Sequence, residues 1–306
     1  MASTSTSNTG GMSLRGITEG NVNFQITSLE ALLNNPIHAN KTFIAVEGEK
    51  NNGIWASDKQ FYSPFFNCDT EVYIFESQGC GNVEKIVKHF NNSSFQSKVI
   101  GIRDADFLHI TGHTPIPNLF LTDAHDWEIM ATQGTDSERK MCAEMSIDYD
   151  STLYNTVMEH LKPLSYIRLY NSMKFSNATG GINFNAVALN NYYFGDTPIS
   201  TDICLNKIHG NGANSTVTPF PTEEDITQQS VQYANADLHQ LTQGHDFVNA
   251  LLIRYRHLRN ANSNLGEKGI SLVLKVAYTY EDFKRTQLWR DINTWASEQG
   301  RNLWVT

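Results

Sequence analysis

Three short runs of β-branched and aromatic residues, separated by stretches of helical periodicity, leave the first half of this chain few folds to choose from. The runs are Thr42-Phe43-Ile44-Ala45-Val46, Val72-Tyr73-Ile74-Phe75 and Lys98-Val99-Ile100-Gly101-Ile102. The first is continuously β-prone rather than alternating, as suits a strand buried on both faces. Between them, Trp55, Phe61 and Phe65 fit one amphipathic helix, and Val83, Ile86, Val87 and Phe90 repeat at the spacing of another. Strand, helix, strand, helix, strand with short connections predicts an α/β fold: a parallel sheet flanked by helices. Asn118-Leu119-Phe120-Leu121 offers a fourth strand, and a helix is expected from His125 to Thr132. A short helical turn at 29–33 should precede the first strand. From about residue 136 the alternation gives way to helical spacing, as in Leu153/Val157/Leu161 and Leu251/Leu252/Tyr255/Leu258, broken by loops at 177–181 and 209–215. The expected layout is a flexible Ser/Thr/Asn/Gly-rich tail over 1–25, an α/β domain over 26–135 and a mostly helical C-terminal region over 136–306.

Composition narrows the partners. The 306 residues carry 23 Lys and Arg against 32 Asp and Glu, a net charge of −9, so bulk charge does not draw this chain to nucleic acid. Acting on a polyphosphate would require metal ions or a basic partner. No run approaches the length of a membrane span, and the first residues lack the pattern of a secretory signal, so no membrane association and a cytoplasmic location are expected. Cys68, Cys80, Cys142 and Cys204 form no CxxC pair, which argues against a zinc knuckle or a disulfide framework and for buried free thiols.

Acidic clusters fall where the strands end, the edge at which open parallel sheets bind ligands. The first strand runs into Glu47-Gly48-Glu49, the third through Arg103 into Asp104-Ala105-Asp106, and the fourth leads to Asp123-Ala124-His125-Asp126-Trp127-Glu128. Continued alternation would point Asp104 and Asp106 the same way, where a hard divalent cation relieves their repulsion. Glu47 on the neighbouring strand can complete that site or take a proton, and Gly48 lets a phosphate approach the backbone. Such parts suit metal-assisted phosphoryl transfer. Any one of them alone is as well explained by a surface acid pair or a loop cap.

At Phe43-Ile44-Ala45-Val46-Glu47-Gly48 and Val99-Ile100-Gly101-Ile102-Arg103-Asp104-Ala105-Asp106 the chain resembles the TOPRIM domains of topoisomerases, primases and OLD-family nucleases. It is most similar to the OLD-associated TOPRIM proteins of PARIS-type antiphage defence, through Gly79-Cys80-Gly81-Asn82-Val83, Thr122-Asp123-Ala124-His125-Asp126-Trp127-Glu128, Gly244-His245-Asp246 and the ending from Ala277 to Trp295. The resemblance spans roughly residues 27–300. It implies Mg²⁺- or Mn²⁺-dependent cleavage of nucleic acid by Glu47, Asp104 and Asp106, with Asp126 and Glu128 as candidates for a second metal. It further implies a toxic effector restrained by an ABC-type ATPase partner, with RNA, tRNA in particular, as the candidate substrate and homo-oligomers as a possible assembly. Many relatives carry an acid three or four residues beyond the EG pair. Here Asn51 and Asn52 stand in that stretch, so either Glu49 substitutes or one metal position is weakened.

Several residues admit two readings. His245 can contact phosphate or act as an acid at the metal site, or it can be a hydrogen-bonded core residue beside a helix-capping Asp246. His125 divides the same way. Lys85 can reach a phosphate from its helix or be solvated, and Arg103 can bind phosphate or pair with the aspartates. Residues 251–306 carry nine Lys/Arg and five Asp/Glu, densest at Arg254, Arg256 and Arg259. That stretch can guide a nucleic acid or dock an acidic partner, or simply be a solvated face over Leu252, Tyr255 and Leu258. Two functions compete with the metal nuclease: a non-catalytic TOPRIM module for assembly or sensing, and another metal-dependent phosphoryl-transfer enzyme. No P-loop is present, so an internal ATP motor is not supported.

Overall fold

Strands β1 (Thr42–Val46), β2 (Val72–Glu76), β3 (Val99–Arg103) and β4 (Leu119–Leu121) form one all-parallel sheet in the order β2-β1-β3-β4. The computed structural model describes residues 21–48, 57–175, 181–259 and 265–305. Every residue of β1 and of β3 is buried, because these two central strands are covered on both faces. In register, Phe43 lies between Tyr73 of β2 and Val99 of β3, so the carboxyl ends of β1 and β3 come out side by side.

Side-chain alternation divides the molecule into layers. Phe43, Ala45 and Val99 pack against Leu29 and Leu33 of α1 (Val22–Leu33) and against Val83, Ile86, Val87 and Phe90 of α3 (Cys80–Asn91). Gly101 lets α3 sit close to the sheet: a Cβ there would meet Val87 at 2.7 Å and Val83 at 2.8 Å. On the other face, Ile44, Val46, Val72, Ile74, Ile100 and Ile102 belong to one continuous core with the helical remainder. That layer contains α2 (Asp58–Tyr62), α4 (Leu108–Thr111), α5 (Trp127–Thr132), α6 (Ser137–Glu144), the long α7 (Leu153–Phe175), α8 (Thr201–His209) and α9 (Glu223–Gln232). It is completed by α10 (Leu238–Leu241), α11 (Gly244–Arg259), α12 (Glu267–Ala277), α13 (Tyr280–Phe283) and α14 (Gln287–Glu298). Near the end of the chain Trp304 stacks on Phe66 at 5.0 Å, returning the C-terminal segment to the α/β part.

The parallel sheet and the helical C-terminal region agree with the pattern read from sequence. Three local expectations do not hold. The first helix begins at Val22, with the Asn21 side chain accepting from the Asn23 N–H, so residues 22–25 of the expected tail join the short turn at 29–33 in one capped helix, and residues 1–20 lie outside the described residues. Phe61 and Phe65 do not share a single helix: α2 ends at Tyr62 and a 3₁₀ turn over Ser63–Phe65 follows, with Pro64 blocking its continuation. Trp55, and most of the loop expected at 177–181, lie outside the described residues. All four cysteines are free, but only Cys142 and Cys204 are buried, while Cys68 and Cys80 are half-buried. No helix among the described residues is long and apolar enough to cross a membrane.

Candidate metal centre

Where β1 and β3 end, a cavity of about 200 Å³ is lined by six carboxylates, Glu47, Asp58, Asp104, Asp106, Asp126 and Glu128, together with His125, Gln243 and His245. Backbone hydrogen bonds set their places. The Gln78 and Gly79 N–H groups donate to the Glu47 carbonyl at 2.6 and 3.0 Å, clamping the end of β1 to the turn that opens α3. Glu47 Oε1 accepts from the Asp104 N–H at 3.1 Å, which ties the two strand ends together. Gly48 has φ +63°, and a Cβ there would fall 2.4 Å from Glu76 Cβ, so this position needs glycine for conformation and for space. Its N–H donates to Asp58 Oδ2 at 3.2 Å. Thr122 Oγ1 accepts from the Ala105 N–H at 2.8 Å and donates to the Ala124 carbonyl at 2.7 Å, and the Asp106 N–H donates to the His125 carbonyl at 2.8 Å. These bonds tie the loops after β3 and β4 together.

Crowding of these acids governs the electrostatics. Burial, then the charges of Asp106 and Asp58, push the Glu47 carboxyl up to about 8, against the smaller opposing pull of Arg103 and the Asp104 N–H. Burial, then Asp58, Glu47, Asp126 and Glu128, hold the Asp104 carboxyl well above the usual range. The donors lining the cavity are predominantly carboxylate oxygens, the set a hard divalent cation takes. One trio of ligating atoms, from Glu47, Cys80 and Asp106, lies within 4.8 Å of one another. Burial raises the Cys80 thiol, which keeps it protonated at neutral pH and a poor ligand for such an ion. His125 Nε2, buried on the cavity wall, has no hydrogen-bond partner among the described residues.

Asp104 and Asp106 do not point the same way, contrary to the expected alternation. The strand stops at Arg103, and Asp106 has φ +48°, so strand geometry no longer applies between them. Asp106 turns toward Arg103, pairing with its Nη2 at 3.0 Å, and toward Glu47 and Cys80. Asp104 feels the charges of Asp58, Glu47, Asp126 and Glu128, and both acids line the cavity.

The segment from Thr122 to Glu128 separates into distinct tasks. Asp123 accepts from the Gln287 and Leu288 N–H groups and so caps α14. Asp126 Oδ1 accepts from the Ile129 N–H at 3.0 Å, capping α5, while Oδ2 accepts from the Gly244 N–H at 2.6 Å and contacts His125 Nδ1 at 3.1 Å. Its oxygens already hold two helix N-termini, whereas Glu128 is half-buried on the wall. Arg103 is buried, bonded to Glu84 and Asp106, so it pairs with acids while its charge stays beside the cavity. His245 is exposed on the cavity rim rather than packed in the core. Asp246 forms a two-pronged ion pair with Arg168 of α7.

The basic candidates lie elsewhere. Lys85 is exposed on α3 and is not among the residues lining the acidic cavity. Arg254 donates to the Gly195 carbonyl at 2.6 Å, and Arg256 is exposed, about 15–18 Å along α11 from Gly244. Beneath them Leu252 and Tyr255 are buried but Leu258 is exposed, and the Arg259 side chain lies outside the described residues. Glu49, Asn51 and Asn52 also lie outside them. The residue missing from the sequence reading is Asp58. Ser57, which caps α2, marks a helix start directly before it, but nothing in the sequence indicates that this first turn folds back under Gly48. A scan against protein-family models and a search of curated proteins find no match to this chain.

Proposed function

We propose that this protein is a Mg²⁺- or Mn²⁺-dependent nuclease of TOPRIM type. One observation carries the reading: six carboxylates from four separate segments converge on one cavity at the carboxyl edge of a parallel sheet, crowded enough to raise Glu47 and Asp104. Such an arrangement costs stability unless a cation occupies it. Asp104 and Asp106 are assigned as ligands and Glu47 as ligand or base, with Asp58 and Glu128 on the same wall for a second ion and Asp126 positioning that wall. A divalent cation held there would neutralise the acids and polarise a phosphodiester oxygen. Glu47 Oε1 is anchored by the Asp104 N–H, which leaves Oε2 to carry a proton between solvent and substrate. Arg103 keeps a fixed positive charge beside the site for the phosphate, and His245 on the rim is placed to meet the leaving group.

The biological setting rests on the motif resemblance: a toxic effector of a bacterial antiphage system, restrained by an ABC-type ATPase partner and acting on RNA such as tRNA. Purified protein incubated with RNA and DNA in Mg²⁺, Mn²⁺, Ca²⁺ or EDTA tests the chemistry. Metal-dependent cleavage that falls at least about a hundredfold in folded Glu47→Gln and Asp104→Asn supports it. Cleavage unchanged in both variants refutes it. Metal binding without cleavage, together with growth arrest that survives both substitutions, favours the non-catalytic module instead.

A further inference from the structure

A second cavity, of about 630 Å³, adjoins the acidic one and shares Asp106, His125 and Gln243 with it. Its chemistry is different. Arg103 and Arg168 line it, with Phe107, Phe184 and Met173, and Asp106 is its single acid. The Arg168 guanidinium lies 4.2 Å from the centre of the half-buried Phe184 ring, and the Asp246 pair holds it there, giving a rigid cation–aromatic platform. On the wall common to both cavities, two buried polar atoms have no hydrogen-bond partner among the described residues: His125 Nε2 and Gln243 Oε1. His125 is itself 3% exposed. Unsatisfied polar atoms in such a place are costly unless a ligand meets them.

We infer that this second cavity receives one unstacked nucleotide of a single-stranded substrate. Its base lies against Phe184 and Arg168, His125 and Gln243 meet its polar edge, and its phosphate sits at the shared wall between Arg103 and the carboxylates. The volume lies within the range of small-ligand sites. Base–aromatic stacking with an arginine alongside is the usual way to hold a base without reading a duplex. A base inside a helix cannot enter such a cavity, so the nuclease cuts beside an unpaired or extruded nucleotide. The inference rests on the nuclease reading for its consequence, but the cavity's occupancy can be measured without turnover.

Ribo- and deoxyribonucleoside 5′-monophosphates are titrated by calorimetry into the full chain carrying Glu47→Gln, in metal-free buffer and in Ca²⁺. Saturable binding of at least one nucleotide is expected, weakened about tenfold or more by Phe184→Ala, the loss typical of one base–aromatic stack. Thr111→Trp is the second variant: Thr111 is an exposed rim residue on α4, so an indole there blocks the cavity without touching the core. It should weaken binding to a similar degree, and on the wild-type background both substitutions should slow cleavage of single strands. The ribose and deoxyribose arms distinguish RNA from DNA as the source. Absence of nucleotide binding, or binding untouched by both variants, overturns the inference even if the enzyme cleaves. Binding that obeys both variants in a chain that cleaves nothing leaves the pocket standing and removes the nuclease reading.

Discussion

Replacing Glu47 by Gln should stabilise the metal-free protein at alkaline pH while abolishing the proposed cleavage. In the unfolded chain this carboxyl titrates near 4.5, whereas in the folded chain it titrates at about 8. Between those values the folded state holds a proton that the unfolded state has released, so stability falls as pH rises through the window and the full cost is present above 8. The whole shift corresponds to about 5 kcal/mol at about 1.4 kcal/mol per pH unit. Glu47 is only half-buried, so solvent screens part of this, and about 2–3 kcal/mol is expected. Unfolding entropy of about 2.1 cal/mol/K per residue over 306 residues turns that into about 3–5 °C in Tm. Differential scanning calorimetry in EDTA at pH 5.5 and 9 gives the answer. Glu47→Gln should exceed wild type at pH 9 by about three times its margin at pH 5.5, which lies one unit inside the window, and Mg²⁺ should raise the wild-type Tm more at pH 9 than at 5.5. A Glu47→Gln protein less stable than wild type at pH 9, with Mg²⁺ without effect there, would refute the crowded-carboxylate reasoning.

Other perturbations test the surroundings. A Cβ on Gly244 would lie 2.3 Å from Asp126 Oδ1 and 2.6 Å from Glu128 Cβ, so Gly244→Ala should cost about 1–3 kcal/mol in a denaturant titration and weaken Mg²⁺ binding as α11 backs away. Asp246→Ala strands the largely buried Arg168 and should cost about 3–5 kcal/mol, while Arg168→Met with Asp246→Leu should restore most of it in a double-mutant cycle. Cys80→Ser should leave Mg²⁺-dependent cleavage within about threefold but abolish any charge-transfer absorbance on adding Cd²⁺, because only a soft ion deprotonates that thiol. Arg256→Ala, exposed at the far end of α11, should leave the salt dependence of substrate binding unchanged, whereas loss of a phosphate contact lowers its slope by about one.

The sheet was legible because β1 and β3 are buried on both faces and announce it as unbroken apolar runs ending in acids. The layer order follows once Phe43 and Ala45 are seen to face α3 while Ile44 and Val46 face the helical core. What escaped depends on contacts between distant segments. Asp58 reaches the cavity because the first turn of α2 lies against Gly48, whose N–H donates to it, a contact with no local signature. The orientation of Asp106 turns on a single left-handed residue just past the strand, where periodicity carries no information. Asp126 and Glu128 stood together as second-metal candidates by resemblance, yet Asp126 caps α5, which begins beside it, and also accepts from Gly244 at the start of α11, a helix that arrives from elsewhere in the chain.

That division of labour ties the helical part to the acidic cavity of the α/β part. Asp126 accepts from Ile129 on one side and from Gly244 on the other, so the start of α11 is fastened directly to the loop that carries Glu128. Two residues on, Asp246 fastens the same helix to Arg168 of α7, and Arg168 is also the cation over Phe184. Gly244, His245 and Asp246 are thus three consecutive residues with three consequences: close approach to the acidic wall, an exposed imidazole on its rim, and an ion pair that shapes the neighbouring cavity. A disturbance of α7 or α11 therefore reaches the carboxylates within two contacts. Metal affinity should track the integrity of the helical region, and any partner that strains α11 would act on the site without touching a ligand.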